Sequence, residues 1–247
     1  MTSPALEIDG LYKSFGGLAV IADLHLAVQQ GERHLVIGPN GAGKTTLFNL
    51  IGGDLRPDHG RLRLFGRDVT RLSTQRRVHL GLGRTYQILT LFPRETVEDN
   101  VVLALLGLSP LRWSCVASVR RHGELREAAR AALARVGLEG LAARPAGQTS
   151  YGERRRLEIA MGLAQDPRLL LLDEPLAGLS TQERAQIQEV LAAIPRETTV
   201  LMIEHDMDAA LAYAERITVL HYGKVIVQGT RAEVVAHPRT KEVYLGG

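Results

Sequence analysis

The run Gly38-Pro39-Asn40-Gly41-Ala42-Gly43-Lys44-Thr45-Thr46 constrains this chain more than any other feature. It follows the pattern G-x-x-x-x-G-K-[ST]. Leu35-Val36-Ile37 before it predicts a strand, and Leu47-Phe48-Asn49-Leu50-Ile51 after it opens a helical pattern. A strand, a glycine turn and a helix N-terminus form the context in which the motif has a mechanical meaning. Glycines let backbone N–H groups turn inward around phosphate oxygens, and the helix dipole favours the negative charge. Lys44 is then placed to reach β- and γ-phosphates, and the Thr45 hydroxyl to sit on Mg²⁺. The expectation is a phosphate-binding loop in an α/β fold, with a nucleoside triphosphate and Mg²⁺ as its ligands.

A second constraint follows from the first. Mg²⁺ beside phosphates takes carboxylate or water oxygens, so an acidic group is expected at the end of a neighbouring strand. Leu169-Leu170-Leu171-Leu172-Asp173-Glu174-Pro175 supplies one: the apolar run reads as a buried parallel strand, and Asp173 emerges at its carboxyl end. Glu174 follows, placed to polarise an attacking water as general base. The alternative for the pair is loop solvation. Taken alone, His205 at the end of Thr199 to Ile203, and Gln87 in Arg84-Thr85-Tyr86-Gln87, have no assignable role.

The rest of the chain frames these motifs. Leu6-Glu7-Ile8 begins a strand, Leu24 to Val28 alternates, and Arg61 to Phe65 reads as another strand. From about Gln87 to Arg155 the pattern is helical. Thr96-Val97-Glu98-Asp99 resembles a helix start, Glu124 to Val136 a helix ended by Gly137, and Ser150 to Ala164 a further helix. Ser180 to Ile194 predicts a helix stopped by Pro195, and Thr198 to Ile203 a strand. The chain of 247 residues is 45% hydrophobic and 23% charged, enough for a sizeable core. A net charge of +3 neither requires nor excludes nucleic acid. Apolar runs are too short to span a bilayer and no secretory signal is read at the N-terminus, so a soluble intracellular protein is expected. Cys115, the single cysteine, reads as a small buried hydrophobe. The histidines lack metal-ligand spacing.

The order phosphate loop, Gln87, Ser150-Tyr151-Gly152-Glu153, Leu172-Asp173-Glu174-Pro175, His205 resembles the ATP-binding subunit of ABC transporters, over nearly all of the chain. The resemblance implies a P-loop NTPase core of the ABC type, with an antiparallel β subdomain and an inserted α-helical subdomain. It implies a single domain over 1–247, its core at 1–87 and 156–247 and its helical subdomain at about 88–155. It implies that Tyr12 stacks on adenine, that Gln87 contacts Mg²⁺ and the lytic water, and that His205 contacts the γ-phosphate. Ser150 and the backbone near Gly152 would serve ATP held by another subunit, so hydrolysis is expected from a head-to-tail pair, homodimeric or heterodimeric.

Two departures stand out: Thr149 where the family's signature begins with leucine, and Ser180 where many relatives carry aspartate. Ser180-Thr181-Gln182-Glu183 keeps a capping box. Tyr151 within the signature, Arg84-Thr85-Tyr86-Gln87, Ile203-Glu204-His205-Asp206-Met207 and the ending Val243 to Gly247 resemble the subfamily that energises uptake of branched-chain amino acids. That implies permease partners in the membrane, a solute-binding protein beyond them, and a place on the cytoplasmic face of the membrane. The ATPase of lipopolysaccharide export is the nearest alternative. A mechanical ATPase acting on DNA or ribosomes, and a nucleotide-binding module without turnover, are further ones. The arginines 112, 120, 121, 126 and 130 read as a solvated helix face, with anionic lipid as the other possibility.

Overall fold

The computed structural model describes residues 3–85, 91–107, 123–204 and 212–245. Gln87, His205, Cys115 and the arginines at 112, 120 and 121 lie outside them. The described chain gathers into two compact units, Met1–Arg84 with Arg168–Ala177 and Pro195–Gly247, and Thr85–Pro167 with Gly178–Ile194.

The first unit holds two sheets. Strands β1 (Leu6–Phe15), β2 (Leu18–Val28), β4 (His59–Leu64) and β5 (Arg67–Asp68) form an antiparallel sheet in the order β2-β1-β4-β5. Its register sets Leu6 opposite both Val28 and Leu64, so the alternating apolar residues share one buried face. The strand expected at 61–65 starts two residues earlier and stops at Leu64, because Phe65 turns at φ 51.

The second sheet runs β10-β9-β3-β8-β7-β6, with β3 (Arg33–Ile37), β6 (Leu82–Arg84), β7 (Leu169–Asp173), β8 (Thr199–Ile203), β9 (Arg216–His221) and β10 (Lys224–Thr230). All pairs are parallel except β9 with β10. Every residue of β3, β7 and β8 is buried, which is why the stretches 35–37, 169–172 and 200–203 within them read as continuous apolar runs without alternation. The polar residues of β3 are satisfied inside: His34 Nδ1 meets Glu32 Oε1 and its Nε2 meets Thr218 Oγ1, both at 2.7 Å. Helix α1 (Lys44–Gly52) packs Leu47, Phe48, Leu50 and Ile51 into the core between the sheets. Helices α2 (Thr74–Val78), α7 (Arg231–Ala236) and α8 (Pro238–Leu245) complete the unit.

The second unit is helical: α3 (Val97–Leu106), α4 (Gly123–Arg135), α5 (Tyr151–Leu163) and α6 (Thr181–Ala192). It reaches past the segment 88–155 by taking in α5 and α6. The Thr96 side chain accepts from the Asp99 N–H, and Ser150 and Ser180 each form a full capping box with a glutamate three residues on. Helices α3, α5 and α6 therefore each satisfy an orphan donor with their own sequence. Arg126 pairs with Glu98 and Asp99, at 3.0 and 2.8 Å, and Arg130 with Glu98 at 3.2 Å. These two arginines tie α4 to α3.

Candidate nucleotide site

Parallel strands deliver their following loops to one edge of the sheet, where ligands of such sheets bind. Here β3 delivers the phosphate loop and β7, two places along, delivers Asp173-Glu174.

The loop leads into α1 through Gly43, which caps the helix at φ 101. A Cβ there would lie 2.7 Å from the Val20 carbonyl and 3.0 Å from Ile21 Cδ1, so strand β2 is pressed against the cap and only glycine fits. No side chain caps α1 and its first turn has no acidic residue, whereas α3, α5, α6 and α7 all bring their own cap and their own acid. The positive end of α1 is thus left for an external anion.

Lys44 is buried, and its ammonium donates to the carbonyls of Gly38 and Pro39 at 2.7 and 3.1 Å. Burial holds its pKa below the usual lysine value, against the opposing fields of Glu174 and Asp173. The cation thus lies within the field of both carboxylates. Thr45 is exposed and Thr46 half-buried on the same turn.

Asp173 is 1% exposed at the end of β7. Glu174 is half-buried and adopts a left-handed φ of 48, which a non-glycine residue holds only when its surroundings force it. Its N–H is fixed on the Ile203 carbonyl at 3.0 Å, and its carbonyl accepts from Ala177 at 3.2 Å. Just beyond, the fully buried Glu204 accepts from the Leu176 N–H at 2.7 Å and so pins the loop after Glu174. Sequence reasoning gave Glu204 no role of its own, although a carboxylate ending a largely apolar strand was a signal. It gave no role to Arg84, quoted only as part of Arg84-Thr85-Tyr86-Gln87, and none to Arg77.

Among the described residues, no three His, Cys, Asp or Glu side chains gather as a metal cage. A hydroxyl, Thr45, and a buried carboxylate, Asp173, fit Mg²⁺, which keeps water and phosphate oxygens in its shell.

Tyr12 is 38% exposed, sits opposite His59 of β4, and meets that ring edge-on at 6.3 Å and 77°. Phe15, 46% exposed, closes the β1–β2 hairpin opposite Leu18. That strand end leads two residues on to Val20, the residue against Gly43.

In the helical unit, the Ser150 N–H donates to Glu153 Oε2 at 2.7 Å and the Gly152 N–H to Glu183 Oε1 at 3.1 Å. Thr149 is buried and donates to the Ala146 carbonyl at 2.7 Å, so the departure from leucine is absorbed locally. Gln87 and His205 lie outside the described residues.

Residues 21–177 match the sequence family described as ABC transporter. The chain belongs to the ABC transporter family. It is an ABC ATPase subunit, similar along its whole length to named relatives. It is 36% identical over 253 residues to the high-affinity branched-chain amino acid transport ATP-binding protein LivG of Salmonella typhimurium, covering 100% of this chain and 99% of that one. It is also 36% identical to BraF of Pseudomonas aeruginosa, of the same description, with the same coverage. The lipopolysaccharide export system ATP-binding protein LptB of Acidithiobacillus ferridurans is 37% identical over 247 residues, covering 99% of this chain and 98% of that one. The ADP conformation of MJ1267, an ATP-binding cassette of an ABC transporter, superposes with a TM-score of 0.89 at 31% identity, covering 100% of both chains. The ABC-type α/β core, its antiparallel sheet and its helical part are as the sequence led one to expect.

Proposed function

We propose that this ABC ATPase subunit is the motor of an importer for branched-chain or related amino acids, docked to membrane permeases at the cytoplasmic face. The observation that carries the catalytic reading is the meeting of Lys44, Asp173 and Glu174 at an uncapped, acid-free helix N-terminus. The full-length likeness to LivG and BraF supports the solute class. No helix among the described residues is long and apolar enough to cross a membrane, so membrane partners would supply the path. A solute-binding protein would act through those partners, and no nucleic acid is expected.

In this reading Lys44 leaves the carbonyls of its own loop for the β- and γ-phosphates of ATP, joined by backbone N–H groups of the loop from Gly38 through Thr46. Thr45 and Asp173, with Gln87, hold Mg²⁺, which offsets phosphate charge when bound. Glu174 takes the proton of the attacking water, its carboxylate aimed by the fixed backbone. His205 orients that water. Ser150 and Gly152 serve the γ-phosphate of a second subunit, which requires their N–H groups to leave Glu153 and Glu183. For the base we assign the stacking platform to Phe15 rather than Tyr12, because the Tyr12 ring is engaged by His59. One ATP-binding domain over 1–247, with a helical subdomain, is the organisation we infer.

The likeness to LptB gives a second reading, lipid export. Affinity purification of tagged Glu174→Gln protein from detergent-solubilised membranes with MgATP separates the two. Recovery of polytopic permeases and a second small ATPase is expected. Recovery of lipid-export components would move the assignment to export, and recovery of no membrane partner would overturn transport.

A further inference from the structure

We propose that Arg84 is a positioning residue that couples the phosphate-loop helix to Asp173 and thereby sets the geometry of the Mg²⁺ carboxylate. The inference rests on the ATP-binding reading above and extends it to a residue with no role in that account. Arg84 ends β6, beside β7, with its side chain only 7% exposed. Nη1 donates to the Phe48 carbonyl of α1 at 3.1 Å and to Asp54 Oδ2 at 2.6 Å, and Nη2 donates to Asn49 Oδ1 at 2.6 Å. Nη2 also lies 3.8 Å from Asp173 Oδ2.

The last distance decides the role. At 3.8 Å the contact is too long for a hydrogen bond but close enough for a strong charge interaction in a buried setting. Arg84 therefore attracts the Asp173 carboxylate while its N–H bonds go elsewhere, to α1 and Asp54. A planar guanidinium can hold these acceptors together in one fixed fork, which an ammonium cannot. The chain makes room for it: a Cβ at Gly52 would come within 2.6 Å of Arg84 Nη1.

A second arginine separates this role from simple support of α1. Fully buried Arg77 donates to the carbonyls of Leu50 and Ile51 and holds the end of the helix independently. Loss of Arg84 thus leaves the helix anchored and the phosphate loop in place, but unties Asp173 from the helix that carries Thr45. Mg²⁺ demands near-ideal octahedral geometry, so a small displacement between these two groups acts on the metal first.

The test is binding of methylanthraniloyl-ATP to the full chain, titrated with Mg²⁺ and repeated in EDTA, for wild type, Arg84→Met and Arg84→Lys. Melting temperatures without nucleotide check folding. Arg84→Met should need on the order of tenfold more Mg²⁺, the scale of outer-shell effects on metal affinity, while EDTA affinity changes less than about twofold. Arg84→Lys keeps charge without the fork and should fall between; it also serves if the methionine variant does not fold. An unchanged Mg²⁺ requirement in either folded variant overturns the proposal, and so does equal weakening with and without Mg²⁺. A wild-type chain that binds no nucleotide overturns the ATP reading itself, and this assignment with it.

Discussion

Glu183 accepts the backbone N–H of Gly152 at 3.1 Å, tying the first turn of α5 to the first turn of α6. The same carboxylate takes the Ser180 hydroxyl at 2.7 Å and the Ser180 N–H at 3.0 Å. The Ser180 hydroxyl and N–H, and then Gly152, hold the Glu183 pKa below the usual glutamate value. Because the folded value is depressed, the contact contributes fully above the ordinary value of about 4.5 and is lost as pH falls through the depressed one. The Gly152 amide should therefore be protected from hydrogen exchange at pH 7 and lose its protection factor on acidification below about 4.5. A Gly152 amide that exchanges as an open one already at pH 7 would contradict the contact.

Lys44 and Glu174 should separate binding from turnover. Lys44→Ala removes a charge-assisted contact worth about 1.5–3 kcal/mol, so ATP affinity should fall roughly ten- to hundredfold. Glu174→Gln should bind ATP with near wild-type affinity and hydrolyse it about 10²–10⁴ times more slowly, the contribution of a general base. Equilibrium binding beside phosphate release reads both. Undiminished turnover in Glu174→Gln would remove it from the base position.

The two exposed aromatics of β1 make opposite predictions. Stacking on a base is worth roughly 1–3 kcal/mol, so Phe15→Ala should weaken ATP binding by about fivefold or more. Tyr12→Ala should change it by less than about twofold, since that ring already faces His59. A larger loss in Tyr12→Ala than in Phe15→Ala would return the assignment to Tyr12.

Arg77 should matter to stability more than to chemistry. Burial pushes its guanidinium down to about 10, so it stays charged at neutral pH while bonded to carbonyls of α1 and to those of Leu72 and Thr70. Arg77→Met leaves these buried acceptors unpaired and should cost about 2–4 kcal/mol in denaturant unfolding. A change under about 0.5 kcal/mol, ordinary for a surface substitution, would show that water replaces it.

The sequence by itself determined what local chemistry can specify. Lys44 after its glycines, the apolar runs of β3, β7 and β8, Asp173 at a strand end, and the Ser150 and Ser180 caps all act within a few residues of themselves. Each therefore leaves a period or a spacing that can be read. The tertiary structure alone decided which charges are buried and on what. Arg84 reaches back 30 to 36 residues to Asp54, Asn49 and Phe48, and Glu204 reaches 28 residues to Leu176. No spacing in the sequence assigns Arg84 or Arg77 a buried partner; the sheet order that sets β6 beside β7, with α1 packed on β7, gives Arg84 its partners. The same holds for Tyr12 and Phe15. The sequence singled out Tyr12 and gave Phe15 no role, and only the pairing of β1 with β4 set Tyr12 toward His59 and left Phe15 at the hairpin end.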